Sequence, residues 1–314
     1  MTDLASTQHL VDTHFSLLAS YWSDVYTGDS VHSAIYRERR DVVLRWVDQL
    51  SLPIGSEILD IGCGAGLFST SLAKRGFRVR AIDTVEEMRI QTSRLALAEG
   101  LQEQLTVEEG DVHRLQYKDA AFDLVLAIGL TPWLHSPAAA LREICRVLRT
   151  GGHLIITADN RNRLSHWLDP RFCPLHAPMR SAIGSLLRRL GALREPHAWM
   201  YSLPSFDRAL ATTGLAKIKG LTLGYGPFTF FDHQLADRIG IVLHHKLTNL
   251  AARFSFIGRG GSSSPLLFPE HKPLFQREQI YEFATHSLFQ QNAKHSGLFT
   301  EDRRTSNCAT HQPV

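Results

Sequence analysis

The residues best suited to chemistry lie in ILDIGCGAGLFS (58–69), where Asp60 is followed by glycines at alternate positions, Gly62, Gly64 and Gly66. Glycine lets the backbone approach a ligand closely, so such a loop is typical of a nucleotide site. A dinucleotide-binding loop needs glycine or alanine three positions after its second glycine, but Leu67 stands there. The spacing therefore argues against NAD.

The carboxylate of Asp60 indicates the charge of the ligand. At the end of a strand it would repel a bound pyrophosphate in a poorly screened crevice. It would favour a nucleoside that carries positive charge instead, and S-adenosylmethionine carries an ammonium and a sulfonium cation. The sequence therefore predicts S-adenosylmethionine as the cofactor.

Short apolar runs alternate with helical patterns between about residues 55 and 158 and would position this loop. The runs are EILDI (57–61), RVRAI (78–82), LTVEEG (105–110), FDLVLAI (122–128) and HLIITA (153–158). This rhythm predicts an α/β fold with a doubly wound, mostly parallel sheet. Thr84 and Glu87 predict a capping box before one helix, and Ser136-Pro137 predicts the start of another.

Five segments in order resemble the class I S-adenosylmethionine-dependent methyltransferases, over about residues 55–160. They are ILDIGCGAG, AID (81–83), EEGDV (108–112), FDLVLAIGLTPWLH and ALREICRVLRTGGHLII. The resemblance implies the Rossmann-like methyltransferase fold, a sheet of seven strands, with an inserted helical cap.

The same resemblance implies the cofactor-binding residues: Asp60, Gly62, Gly64, Gly66, Asp83, Met88, Asp111 and Val112. Asp60 and Gly62 would line the methionine end, and Asp83 would accept both ribose hydroxyls. Asp111 would receive the adenine amino group, with Met88 and Val112 packed on the ring faces.

Structural roles compete with three of these assignments. Asp83 is also placed to cap the following helix. Asp111 follows Gly110 and suits a turn. Met88 on an amphipathic helix is also a typical core residue.

The segment AIGLTPW after the fourth strand bears on the acceptor. Methyltransferases of DNA base amino groups carry Asn or Asp, then Pro-Pro and an aromatic residue here. Their absence, with no Lys/Arg stripe interleaved with aromatics, predicts no nucleic-acid partner. An oxygen acceptor is favoured, or failing that a carbon, nitrogen or sulfur atom of a small molecule. For an oxygen acceptor, His135 is the candidate catalytic base. A hydrogen bond of His135 to the loop backbone is the alternative.

An insertion over residues 160–203 is expected to cap the acceptor site. Residues 161–200 hold seven arginines against Asp169 and Glu195, a balance of +5. Apolar residues at helical spacing predict a basic amphipathic helix over 179–194. It would pack as a lid on its own domain, or contact a membrane surface or an amphiphilic acceptor.

The rest of the chain completes the domain plan. Residues 1–50 would form a helical segment over the cofactor site, carrying Tyr21 and Tyr26, and 51–159 the core. Residues 204–300 would finish the core, with a sixth strand in KIKGLTLGYGPF and a long helix in QLADRIGIVLHHKLTNLAARF. SSSPLLF (262–268) is a candidate seventh strand, and 301–314 a flexible tail.

Composition narrows the class of protein. The net charge is only +3, and the cysteines, at 63, 145, 173 and 308, have neither paired nor metal-type spacing. No apolar run reaches the ~18 residues of a membrane span, and no leader pattern is present. We expect a cytoplasmic methyltransferase of small-molecule or lipid-like acceptors, without a metal. A non-catalytic S-adenosylmethionine-binding protein and a methyltransferase of macromolecules are the alternatives.

Overall fold

The computed structural model describes residues 4–160, 169, 173–189, 206, 208–210, 212–230, 233–257 and 278–285. The described strands are β1 (Glu57–Ile61), β2 (Arg78–Asp83), β3 (Leu105–Glu109), β4 (Phe122–Ala127), β5 (Leu148–Asp159), β6 (Leu215–Leu223), β7 (Thr229–Phe230), β8 (His233–Gln234) and β9 (Glu278–Thr285). The described helices are α1 (Leu4–Leu17), α2 (Ala19–Asp24), α3 (Val31–Gln49), α4 (Leu67–Ala73), α5 (Glu86–Ala98), α6 (Pro137–Val147), α7 (Ala177–Arg189) and α8 (Asp237–Ile257).

Seven of these strands form one sheet in the order β3-β2-β1-β4-β5-β9-β6. Neighbours from β3 to β5 are parallel, and β9 runs antiparallel to both β5 and β6. Chain order reverses direction between β1 and β4, where open α/β sheets form a ligand crevice at the carboxyl ends of the strands. The predicted doubly wound, seven-stranded fold is confirmed.

Apolar side chains on both faces of the sheet hold the helices in place. On one face, Val125 and Ile156 pack with Ile144 of α6. On the other, Ile58 and Leu126 pack with residues of α3 and α4. Strands buried on both faces explain the nearly continuous apolar runs of the sequence.

The predicted capping box at α5 is wrong. Val85 occupies the N-cap position without a side-chain hydrogen bond. Thr84 Oγ1 instead donates to Asp12 Oδ1 at 2.7 Å, and Ser16 Oγ donates to Glu87 Oε2 at 2.6 Å. Both polar groups are thus used to dock α1, so tertiary contacts replace the local cap.

The seventh strand of the sheet is β9, so SSSPLLF (262–268) was the wrong candidate; that segment lies outside the described residues. Most of 160–203 and all of 301–314 lie outside them as well. The division into cap, core and tail stays a prediction. Among the helices that the structure describes, none is long and apolar enough to cross a membrane.

Candidate functional site

A cavity of about 250 Å³ opens at the carboxyl ends of the central strands. Its lining comes from the loops after β1, β2, β3 and β4 and from helices α1 to α3. Six of the residues predicted to bind the cofactor line it: Gly62, Gly64, Asp83, Met88, Asp111 and Val112. The fold therefore gathers at one place residues that are far apart in the sequence.

The glycines after β1 have different local roles. Gly62 and Gly64 line the cavity with φ of +68° and +55°. A Cβ at Gly64 would meet nothing within 4 Å, so this stretch of backbone is open to a ligand. Gly66 does not line the cavity; its φ is +82°, and a Cβ there would lie 2.8 Å from the Thr92 side chain. Close packing of α4 on α5 therefore explains why position 66 is a glycine.

Asp83 is held at the end of β2 by two backbone donors. Gly64 N–H donates to Oδ2 at 3.0 Å, and Val85 N–H donates to Oδ1 at 2.9 Å. Burial raises the pKa of Asp83, and these hydrogen bonds oppose the rise. Each carboxylate oxygen keeps a second lone pair, which is what acceptance of two vicinal hydroxyls requires.

Asp111 faces the cavity from the loop after β3. Its Oδ1 accepts from the backbone N–H of His113 at 2.9 Å and from His113 Nδ1 at 2.6 Å. Burial acts to raise the pKa of Asp111, but the His113 hydrogen bonds outweigh it and hold that pKa below its usual value. The carboxylate is therefore an ionised acceptor at neutral pH. Met88 and Val112 are 2% and 5% exposed and give the lining an apolar part.

Asp60 is buried beside the cavity and is not among its lining residues. Burial raises the pKa of Asp60 to about 6; a hydrogen bond from Ser69 lowers it, and the charge of Asp83 raises it. The role of Asp60 at the methionine end therefore stays a prediction. Asp60 would act on the ligand through its charge and through the position of the glycine loop.

His135 also lies outside the cavity lining. Its ring stacks on His113 with centroids 3.5 Å apart, and its buried Nδ1 has no hydrogen-bond partner among the described residues. Burial lowers the pKa of His135, as does the neighbouring His113. Its role as catalytic base stays a prediction.

Sequence reasoning missed Arg39, a cavity residue of α3. Arg39 is 6% exposed, its Nη2 donates to Tyr26 Oη at 2.9 Å, and its guanidinium lies 4.4 Å from the centre of the Tyr36 ring. A buried arginine at a cavity is suited to a carboxylate. In the sequence it sits in the run RERR, where no pattern separates it from exposed neighbours.

Aromatic side chains from helices α1 and α2 and from the loop after β4 line one side of the cavity. Phe15 packs edge-on against Trp133, with centroids 5.1 Å apart, and tilted against Trp22 at 5.8 Å. All three line the cavity together with Tyr26, whereas Tyr21 is 42% exposed and does not. Of the two predicted tyrosines, only Tyr26 reaches the cavity.

Comparison with known proteins explains this geometry. Residues 59–156 match a family model described as a methyltransferase domain. The ubiquinone biosynthesis O-methyltransferase of Alkalilimnicola ehrlichii is 32% identical over 176 residues, which cover 53% of this chain and 68% of that protein. The chain belongs to the class I S-adenosylmethionine-dependent methyltransferases. S-adenosylmethionine is accordingly its cofactor.

The ubiquinone biosynthesis O-methyltransferase of Aeromonas salmonicida is 35% identical to this methyltransferase over 153 residues, or 47% of the chain. The chain spans only about 60% of the length of that relative. Magnesium protoporphyrin IX methyltransferase from Synechocystis, solved with bound S-adenosylhomocysteine, superposes with a TM-score of 0.56 at 16% identity, covering 89% of this chain and 99% of that one. This last likeness shows the shared fold.

Proposed function

We propose that this methyltransferase transfers the methyl group of S-adenosylmethionine to an oxygen atom of a small, amphiphilic acceptor. The observation that carries the proposal is the Asp83 carboxylate, oriented at a strand end by Gly64 and Val85 and facing a glycine-lined cavity. The oxygen preference rests on the relatives, which are named O-methyltransferases, and on the sequence after β4.

The residues present suit the cofactor. Asp83 would hold the ribose and Asp111 the adenine amino group, while Met88 and Val112 would contact the base. Arg39 would bind the methionine carboxylate, because it supplies a buried positive charge at the same cavity. S-adenosylmethionine supplies a methyl group already activated by the sulfonium charge. The protein therefore needs chiefly to align the acceptor and exclude water.

The aromatic side of the cavity supports an apolar acceptor. Trp22, Trp133 and Phe15 form a wall there that would pack on a flat or hydrophobic molecule and keep water out. A hydroxyl acceptor must also lose a proton. His135 is the predicted group, and it would act only after its ring or the loop that carries it shifts toward the cavity.

Helix α7 overlaps the 179–194 segment that is predicted to form a basic amphipathic helix. Its exposed side chains support contact with a membrane surface. Its described side chains Met179, Ile183 and Leu186 are 60%, 50% and 58% exposed and share one helical face. Arg188 and Arg189, predicted to flank this face, have side chains outside the described residues. An exposed apolar face with basic neighbours would bring the enzyme to amphiphilic acceptors in an anionic bilayer.

Incubation with methyl-labelled S-adenosylmethionine and extracts separated into lipid, small-molecule, protein and RNA fractions tests the proposal. Label should enter the lipid or small-molecule fraction at an ether or ester oxygen, and Asp83→Ala should lose most of it. Label in protein or RNA would contradict the acceptor class. Tight cofactor binding without transfer to any fraction would favour a non-catalytic protein.

A further inference from the structure

His113 connects the Asp111 loop to the start of helix α6. Its Nδ1 lies 2.6 Å from Asp111 Oδ1, and its Nε2 accepts the backbone N–H of Ser136 at 3.3 Å. Ser136 immediately precedes α6, so the ring bridges the loop after β3 and the loop after β4.

These two contacts fix the tautomer of His113. Because Ser136 N–H is a donor, Nε2 must be the unprotonated nitrogen, and Nδ1 then carries the hydrogen that it donates to Asp111. The His113 side chain is only 10% exposed, and the His135 ring covers it with a centroid distance of 3.5 Å. Its orientation is thus set from three sides.

The contacts with His113 make the two carboxylate oxygens of Asp111 different. Oδ1 accepts both the backbone and the ring hydrogens of His113. Oδ2 has no hydrogen-bond partner within the described part of the chain, although the Asp111 side chain is 41% exposed and lines the cavity. An ionised carboxylate oxygen only accepts hydrogen bonds, so Oδ2 can pair with an amino group and not with a carbonyl oxygen.

We propose that His113 is a positioning residue that holds Asp111 so that the nucleoside site selects a 6-amino purine over a 6-oxo purine. This inference rests on the proposed cofactor site. Without the His113 ring hydrogen, Oδ1 keeps only a backbone donor, and the carboxylate can rotate to accept from other groups. Discrimination should then fall, because it depends on one oxygen being reserved for the ligand.

Calorimetric binding of S-adenosylhomocysteine and S-inosylhomocysteine, which has a carbonyl in place of the amino group, tests this. The wild-type protein should prefer the adenosyl compound. His113→Phe keeps a ring against His135 but removes the donor, and its preference should fall about tenfold. His113→Asn keeps an N–H near the position of Nδ1 and should restore most of the preference.

A structural role alone would weaken both ligands equally in His113→Phe, and an unchanged ratio would overturn the inference. Nitrogen-15 NMR of the wild-type protein gives a test that needs no folded variant, since His113 should show hydrogen on Nδ1 and a bare Nε2. The opposite tautomer would overturn the inference even if both compounds bind. Binding of neither compound would overturn the proposed cofactor site and this inference together.

Discussion

The Ser69 hydroxyl donates to Asp60 Oδ2 at 2.5 Å, joining the end of β1 to the first turns of α4 behind the glycine loop. Both residues are buried, at 2% and 0% exposure. Asp60 thus lies close to the cavity without lining it. Its charge can act on a ligand in this setting because water does not screen it.

Asp60 should make stability depend on pH. Burial raises its pKa from 3.8 to about 6, so its contribution to stability is fully present below pH 3.8 and is lost as pH rises through about 6. Asp60→Asn should remove this contribution, so the free energy of unfolding should depend less on pH between 3.8 and about 6. Urea denaturation without ligand measures it. The pKa of Asp83 is also raised, so the Asp83 carboxyl should still make the stability of this variant depend on pH. An unchanged profile in Asp60→Asn would show that Asp60 is not the titrating group.

Gly66→Ala should destabilise the protein more than Gly100→Ala. Both glycines have left-handed φ, +82° and +69°, which costs alanine about 1–2 kcal/mol. A Cβ at Gly66 would also lie 2.8 Å from the Thr92 side chain, whereas one at Gly100 meets nothing within 4 Å. Thermal unfolding of the two variants measures the difference, and equal losses would show that Thr92 moves aside easily.

Arg39→Met should weaken S-adenosylhomocysteine binding by about tenfold or more, because a charge-assisted hydrogen bond contributes about 1.5–3 kcal/mol. Methylthioadenosine lacks the carboxylate, so its affinity should change little. Calorimetry with the two compounds separates loss of the predicted contact from loss of the fold. Equal weakening of both would remove Arg39 from the carboxylate role.

Helix α7 should bind anionic vesicles through its apolar face. Ile183→Glu with Leu186→Glu should reduce cosedimentation with phosphatidylglycerol vesicles. Ser181→Glu with Ser185→Glu, both exposed on another face, is the control that adds the same negative charge. Raised salt should weaken the wild-type interaction if Arg188 and Arg189 contact headgroups. A helix that serves only as a lid predicts no vesicle binding by the wild-type protein.

Local patterns predicted the sheet, and the family resemblance implied much of the cavity lining, including the strand-end residues Asp83 and Asp111. Features that depend on distant partners could not be predicted from local patterns. Thr84 forms no cap because Asp12 takes its hydroxyl. Arg39 could not be distinguished because its importance comes from tertiary burial. The role predicted for Asp60 at the ligand stays a prediction, and only the packing of α4 shows that Asp60 is buried beside the cavity.

Calorimetric titration of S-adenosylhomocysteine into the wild-type protein and Asp83→Ala tests the central claim, that this cavity binds the cofactor through Asp83. The variant should bind about tenfold to a hundredfold more weakly. The variant and the wild type should bind equally well an analogue of S-adenosylhomocysteine that lacks both ribose hydroxyls. This comparison controls for the lost contacts to Gly64 and Val85. Equal affinity of the two proteins for S-adenosylhomocysteine, or tight binding of NAD in its place, would contradict the account.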